Sequence, residues 1–325
     1  MTRRTHAPHR VATTLLTLVV PLVLLGAATL LAASWADELP DPVAVHWGAE
    51  GPDGFGSLAS AILPAVVAGV VIAVGAWALA FFAGHASSTR RIAAGSSVGM
   101  AGFLAVIVLG PLEAQRGLAD PTTAPGIATP LAVAIVAGLA LGTLAAALTP
   151  ADADQPAASA VDPSAPRLAL AATERAVWRR DVFSRATLTV GVAVVLVVLG
   201  LSVVTRMWAL GLVAAVLAAL LLSMVALDAT VDERGLVARG ILGWPTVRVP
   251  LDEVVAARVT SVHPLKEFGG WGYRVGRGGR TGIVLRTGEA LEVERTGGRV
   301  VVVTVDDAAT GAALLNTLAD RARAV

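Results

Sequence analysis

Six stretches without a charged side chain, 11–33, 61–83, 92–112, 128–148, 186–204 and 207–227, decide most of what this chain can become. Each is close to the roughly 20 apolar residues that cross about 30 Å of hydrocarbon as a helix. Only 15% of the 325 residues are charged and 55% are hydrophobic, with a mean hydropathy of +0.73. An ordinary soluble domain carries about a quarter charged residues, so that class is excluded. The runs predict six transmembrane helices. The last two are separated by little more than Thr205 and Arg206, which leaves room only for a tight helical hairpin. A cleavable secretory signal is the rival reading of the first run, with Ser34-Trp35-Ala36 as the cleavage region, but its apolar core would be only about 7–15 residues.

Under this count Arg3, Arg4, Arg10, Arg90, Arg91, Arg167, Arg175, Arg179, Arg180 and Arg185 fall on one side and Arg116 and Arg206 on the other. Basic residues accumulate on the cytoplasmic side, so both termini are predicted cytoplasmic in a multi-pass plasma-membrane protein. A net charge of +1 gives no pull toward nucleic acid. The absence of cysteine excludes disulfides, thiol catalysis and thiolate metal sites. No ionisable residue lies inside the six runs, which counts against transport, because ion and solute paths are usually marked by such groups.

The first connection, 34–60, is predicted to face outward. It is a polar, turn-rich island holding Leu39, Pro40, Val43, His46, Trp47, Gly51, Asp53, Gly54, Gly56 and Ser57. Prolines pin it and glycines permit positive-φ turns, so it reads as a shaped loop. His46 with Asp41, Glu50 and Asp53 offers the donor types of a metal or acid–base site, but zinc sites need three or four protein ligands. The other histidines, His6, His9, His85 and His263, are predicted on the opposite side. A scaffold role for His46, with Trp47 at the membrane interface, is the expectation; no metal and no cofactor is assigned.

These residues resemble the membrane-protein family called domain of unknown function sixteen-forty-eight, the N-terminal part of SdpI-like proteins. Leu39, Pro40, Val43, His46, Gly51, Asp53, Gly54 and Ser57 carry the match, over about the first fifth of the chain. The resemblance implies a multi-pass bacterial membrane protein, and SdpI-like members act in toxin immunity and signal reception.

Residues 1–148 thus read as a four-helix membrane region and 149–185 as a cytoplasmic connection. Its first part, to Pro166, is rich in Pro, Ala, Asp and Ser and reads as a flexible linker. From Arg167 to Phe183 apolar and basic residues alternate in a way that suits a juxtamembrane helix at the headgroups or a solvated extension of the fifth span. After the hairpin at 186–227, residues 228–325 read as a β-rich domain of seven strands, 229–231, 236–239, 246–249, 254–262, 282–286, 290–294 and 300–305. Asp306 and Asp307 then cap a helix whose Leu314, Leu315, Leu318 and Ala322 share a face. This order, with Glu267 to Arg274 and Gly297 to Asp307 as loops and last strand, resembles the bacterial pleckstrin-homology-like domain. The glycines from Gly270 to Gly282 lack the strand-to-helix setting of a phosphate loop and read as a long mobile β-loop.

Arg274, Arg277, Arg280 and Arg286 are candidates for anionic lipid headgroups, against the alternative of an ordinary solvated face. The functional expectation is a non-enzymatic sensing or immunity role through the outward loop, with the cytoplasmic domain binding lipid or protein. The alternatives are a small-solute transporter and, behind it, an outward-facing metal-dependent enzyme.

Overall fold

The computed structural model describes residues 7–48, 50–171 and 173–324; Arg3 and Arg4, used above for orientation, and His6 lie outside them. The chain divides into a helical unit up to Ala151 and a β-rich unit from Asp152, with Val197–Ala214 grouped with the first.

The helical unit consists of α1 (Arg10–Ser34), α2 (Leu58–Ala83), α3 (Ser87–Glu113) and α4 (Ala128–Leu148), each long and apolar enough to cross a membrane. Within α1, Leu15–Val19 widens into a π-turn. Pro21 has no N–H for the Thr17 carbonyl, which instead accepts the Ser97 hydroxyl of α3 at 2.8 Å. A local proline effect thereby becomes a bond between helices. Helix α3 packs on the other three. Its closest partner is α4, where Gly95 and Gly99 meet Gly138 and Gly142: a Cβ on Gly99 would lie 2.8 Å from the Gly138 carbonyl, and one on Gly142 would lie 2.7 Å from that of Gly95. Small residues four apart let two helix backbones touch, which is a main source of association in lipid.

Gly99→Val is therefore expected to force α3 and α4 apart, at about 1–3 kcal/mol for overpacking. Gly75→Val, where a Cβ meets nothing within 4 Å, is its control. Melting in detergent micelles checks this; equal midpoints for the two variants would contradict it.

A fifth helix, α5 (Arg185–Val204), also has spanning length, whereas α6 (Trp208–Met224) is shorter, with 17 residues. The sixth run, expected to continue to Leu227, ends earlier because Ala226 and Leu227 already belong to a strand. That strand, β4 (Ala226–Asp232), pairs antiparallel with β3 (Trp178–Phe183), Phe183 opposite Ala226 and Trp178 opposite Val231. The Ser184 N–H donates to the Val225 carbonyl at 2.9 Å. The helical hairpin α5–α6 therefore stands where the turn of a β-hairpin would be.

The first sheet continues to β5 (Gly235–Gly240) and β6 (Thr246–Val249), in the order β3-β4-β5-β6. The second contains β7 (Val254–Val262), β8 (Gly272–Val275), β9 (Thr281–Val284), β10 (Gly288–Arg295) and β11 (Arg299–Thr304), ordered β7-β10-β11-β9-β8. Its β9–β11 pair is parallel and the others antiparallel. Helix α7 (Ala308–Arg323) closes the core, with Leu314, Leu315 and Leu318 buried. Ala322 is exposed, and Ala319 takes its place on the buried stripe with Ala308 and Ala312. Asp307 stands at the N-cap position, where its carboxylate accepts the Thr310 hydroxyl of the first turn at 2.5 Å as well as the Trp178 indole and Arg180, while the first N–H, that of Ala308, goes to Glu289 at 2.9 Å.

All seven expected strands are present, and two more, β3 and β8, join them. Strand β8 lies in the glycine-rich stretch read as a mobile loop. Strand β3 replaces the expected juxtamembrane helix: Trp178 and Val182 are buried between exposed Arg179, Arg180 and Asp181, a spacing of four that suits either periodicity. Residues 152–171 are likewise no free linker. Extended backbone is fastened along the β-rich unit by Ala157 N–H to Asp252 O (2.7 Å), Val161 N–H to Asp320 (3.0 Å) and Leu168 N–H to Thr317 (2.9 Å). Buried Asn316 donates to Pro166 O and Ala257 O and accepts the Ala257 N–H, tying this strap, β7 and α7 together.

Candidate functional site

The connection between α1 and α2 folds as a β-hairpin, β1 (Val43–Gly48) and β2 (Gly51–Gly56), with His46 opposite Gly54 and Gly48 opposite Gly51. Val43 is buried with Ala32, Trp35, Ile62 and Leu112, with Leu39 packed alongside and Pro40 buried next to it. Gly51 turns the chain at φ 129°, a conformation that disfavours any Cβ. Gly54 is needed for closeness: a Cβ there would sit 2.7 Å from that of His46. Gly56 closes the pairing with Val43, and the Ser57 hydroxyl then caps α2 by accepting the Ser60 N–H at 3.3 Å.

What fastens the hairpin is a residue that sequence reasoning passed over. Gln115, fully buried just beyond α3, accepts the Ala44 N–H at 2.7 Å and donates to Ala44 O at 3.2 Å and Pro111 O at 3.0 Å. Its side-chain amide serves β1 as a neighbouring strand would. The sequence carries no local signal for it, because an amide just past a helix end can be satisfied by water and its backbone partner Ala44 lies 71 positions away. Trp47 adds a second tie, its indole N–H to Pro125 O at 3.0 Å. Arg116 adds a third, pairing with Glu38 at 2.7 Å and lying 5.0 Å above the Trp35 ring.

His46 Nδ1 lies 2.5 Å from Asp53 Oδ1, with both side chains more than half exposed. The pair bridges the two strands at the solvent face. Among the described residues no group of three or more His, Asp and Glu side chains converges as a metal centre requires. Under the hairpin lies a pocket of about 420 Å³, walled by Val45 and Trp47 of β1, Ala61 and Pro64 of α2, and Leu104 and Pro111 of α3. Ser60 and Ile107 also line it. They stand four residues before Pro64 and Pro111, which lack the N–H that would continue the helical ladder at those positions. The arrangement offers largely apolar walls with no acid or base.

Of the four candidate arginines in the β-rich unit, two are paired with acids. Arg280 is held between Glu267 (2.8 Å) and Glu292 (3.3 Å), and Arg286 pairs with Asp306. The His263 N–H, and then Arg280, hold the Glu267 carboxyl below its ordinary range. Arg274 donates to Trp271 O at 2.9 Å, and Arg277 has no ion-pair partner among the described residues. A wider depression of about 810 Å³ beside the strap includes Arg167 and Asp320, which are already paired with each other.

Residues 22–69 match a family model described as Domain of unknown function (DUF1648), a window that begins in α1, contains the whole hairpin and ends in α2. No curated protein and no solved structure matches the chain significantly.

Proposed function

We propose that this is a non-enzymatic, multi-pass membrane protein that receives an apolar ligand from the outer side in the pocket beneath the β1–β2 hairpin, in a sensing or immunity role of the SdpI-like kind. The observation that carries the reading is the pairing of a hairpin tied down by Gln115 and Trp47 with an apolar pocket directly below it. Six spans and cytoplasmic termini go with it. Arg10, Arg90 and Arg91 at one end of the bundle, against acidic Glu38, Asp41, Glu50 and Asp53 at the other, support that orientation. At about 25 Å, α6 is slightly short for the bilayer, but a pair of adjacent strands at its base favours a hairpin that leaves and returns on one side. The β-rich unit, two sheets closed by a C-terminal helix, is similar to a pleckstrin-homology-like domain, although its parallel β9–β11 pair is not part of that expectation. We assign it a lipid or protein partner on the cytoplasmic side; the reading requires neither nucleic acid nor a cofactor.

The test compares small molecules that co-purify from native membranes with the wild type, Ala65→Phe, which fills the pocket, and His46→Gln, which keeps a hydrogen-bonding group opposite Asp53. The expected result is an apolar compound retained by wild type and His46→Gln and lost from Ala65→Phe at equal expression. Loss in His46→Gln alone would contradict the scaffold role of the histidine and the pocket with it.

A further inference from the structure

The end of the β-rich unit from which α5 and α6 emerge differs in polarity from its opposite end. Strand β4 starts two residues after α6 and runs away from it, so the β4–β5 turn lies at the far end. That turn carries Asp232, Glu233 and Arg234, with the Arg234 side chain 86% exposed and paired to Asp232. Strand β5 then runs back, and its last residue, Gly240, stands opposite Leu227, three residues past the end of α6. A Cβ at Gly240 would press on the Ser223 carbonyl in the last turn of that helix. The β5–β6 turn is therefore held beside the base of the helical hairpin.

This turn reads Ile241-Leu242-Gly243-Trp244, and its large side chains are 64%, 61% and 55% exposed in that order. It is not loose. The Gly240 N–H bonds Pro245 O and the Gly243 N–H bonds Gly240 O, both at 2.9 Å, and the Thr246 hydroxyl reaches Gly243 O. Trp271, 38% exposed, lies at the same end, since a Cβ on its neighbour Gly272 would meet Met224 Sδ at 3.4 Å. Phe183, the last residue of β3 and also exposed, completes the group.

Large apolar side chains held outward on an ordered turn are a liability in water. Beside a membrane-crossing helix they face a different solvent, and tryptophan is the side chain most at home in the headgroup zone. We infer that the β5–β6 turn, with Trp271 beside it, is an interfacial anchor: Ile241, Leu242 and Trp244 enter the boundary between headgroups and acyl chains of the bilayer that α5 and α6 cross. The site differs from the arginine candidates, of which Arg280 and Arg286 are paired with acids. Insertion to about 5–10 Å is the depth typical of such apolar faces. The anchor would fix the orientation of both sheets to the membrane plane, since the turn and the hairpin base are attached to the same strands.

The inference rests on α5 and α6 spanning the membrane, so its test must separate the two. Full-length chains with single cysteines at Leu242, Arg234 or Val194 (mid-α5) are labelled with an environment-sensitive fluorophore and reconstituted in phosphatidylcholine–phosphatidylglycerol vesicles. Because the chain has no cysteine, each label is unique. The expected result is blue-shifted emission at 242, quenched most by nitroxide lipids labelled near the glycerol. The label at 194 should be quenched most by deep nitroxides, and that at 234 should behave as in water. Quenching at 194 with water-like emission at 242 would overturn the anchor and leave the spans standing. No quenching at either position would overturn both.

Discussion

Glu253→Ala is expected to destabilise the β-rich unit by about 3–5 kcal/mol, the cost of deleting one partner of a buried ion pair. The Glu253 and Arg299 side chains are each 4% exposed and 3.1 Å apart, and Arg295 pairs with the same carboxylate. The other Glu253 oxygen accepts the Gln155 N–H at 3.2 Å, and Arg299 reaches Asp152 at 3.6 Å. One carboxylate therefore links the turn before β7 with β10, β11 and the strap, and removing it takes the shared partner from two largely enclosed guanidinium groups. Burial is the largest single influence on its titration and acts upward. The hydrogen bond and charge of Arg295, the Gln155 N–H and the charge of Arg299 together outweigh it, so the carboxyl sits below its ordinary range. A lowered folded value means that this group stabilises the fold above the ordinary glutamate pKa and that the contribution is lost as pH falls through the folded value. Melting of the full chain in micelles should show a low midpoint for Glu253→Ala at neutral pH and convergence with the wild type in acid. Coincident melting at neutral pH would contradict the cluster's role.

Residues 228–325 alone are expected not to fold, which corrects the domain boundary that strand counting suggests. The core they would need includes Val161, Ala165, Trp178 and Val182, all upstream of the helical hairpin. Trp178 lies flat against α7, where a Cβ on Gly311 would meet its ring at 3.1 Å. At about 1.5–3 kcal/mol for each large apolar side chain removed, losing Val161, Trp178 and Val182 takes away an amount comparable to the lower part of a typical stability of about 5–15 kcal/mol. A chain starting at Asp152, with residues 185–224 replaced by Asn-Gly, restores what is missing. Phe183 and Ala226 are already opposite each other, and a two-residue turn of that composition closes an antiparallel pair. In dilute detergent, to cover the exposed β5–β6 turn, it should give a β-rich circular dichroism spectrum and one cooperative transition. Cooperative folding of 228–325 without the upstream segment would contradict this.

The parts legible in the sequence are those set by a single length or a single residue type. Apolar runs near 20 residues mark five spanning helices because the bilayer imposes the length. Glycine and proline mark a shaped loop at 34–60, though not its pairing as a hairpin, and the turns between seven strands, because they act on the backbone where they stand. The parts that were not legible depend on partners far along the chain. Strand β3 is separated from β4 by the whole α5–α6 insertion, and Trp178 and Val182 fit either periodicity. The strap at 152–171 has no apolar period because backbone groups and a few small side chains hold it. Four arginines close in sequence suggested a basic face, yet Glu292 and Asp306, further along, take two of them. Gln115 carries the hairpin through bonds to a residue 71 positions away.

The central claim, a ligand-receiving hairpin on the outer face and a β-rich unit inside, is tested most directly by labelling single cysteines with a membrane-impermeant maleimide. Glu50, at the exposed turn of the hairpin, and Arg234, at the polar turn of the β-rich unit, are suitable positions. Glu50→Cys is expected to be labelled in intact cells and Arg234→Cys only after permeabilisation; labelling of Arg234→Cys in intact cells, or protection of Glu50→Cys until the membrane is opened, would contradict this placement.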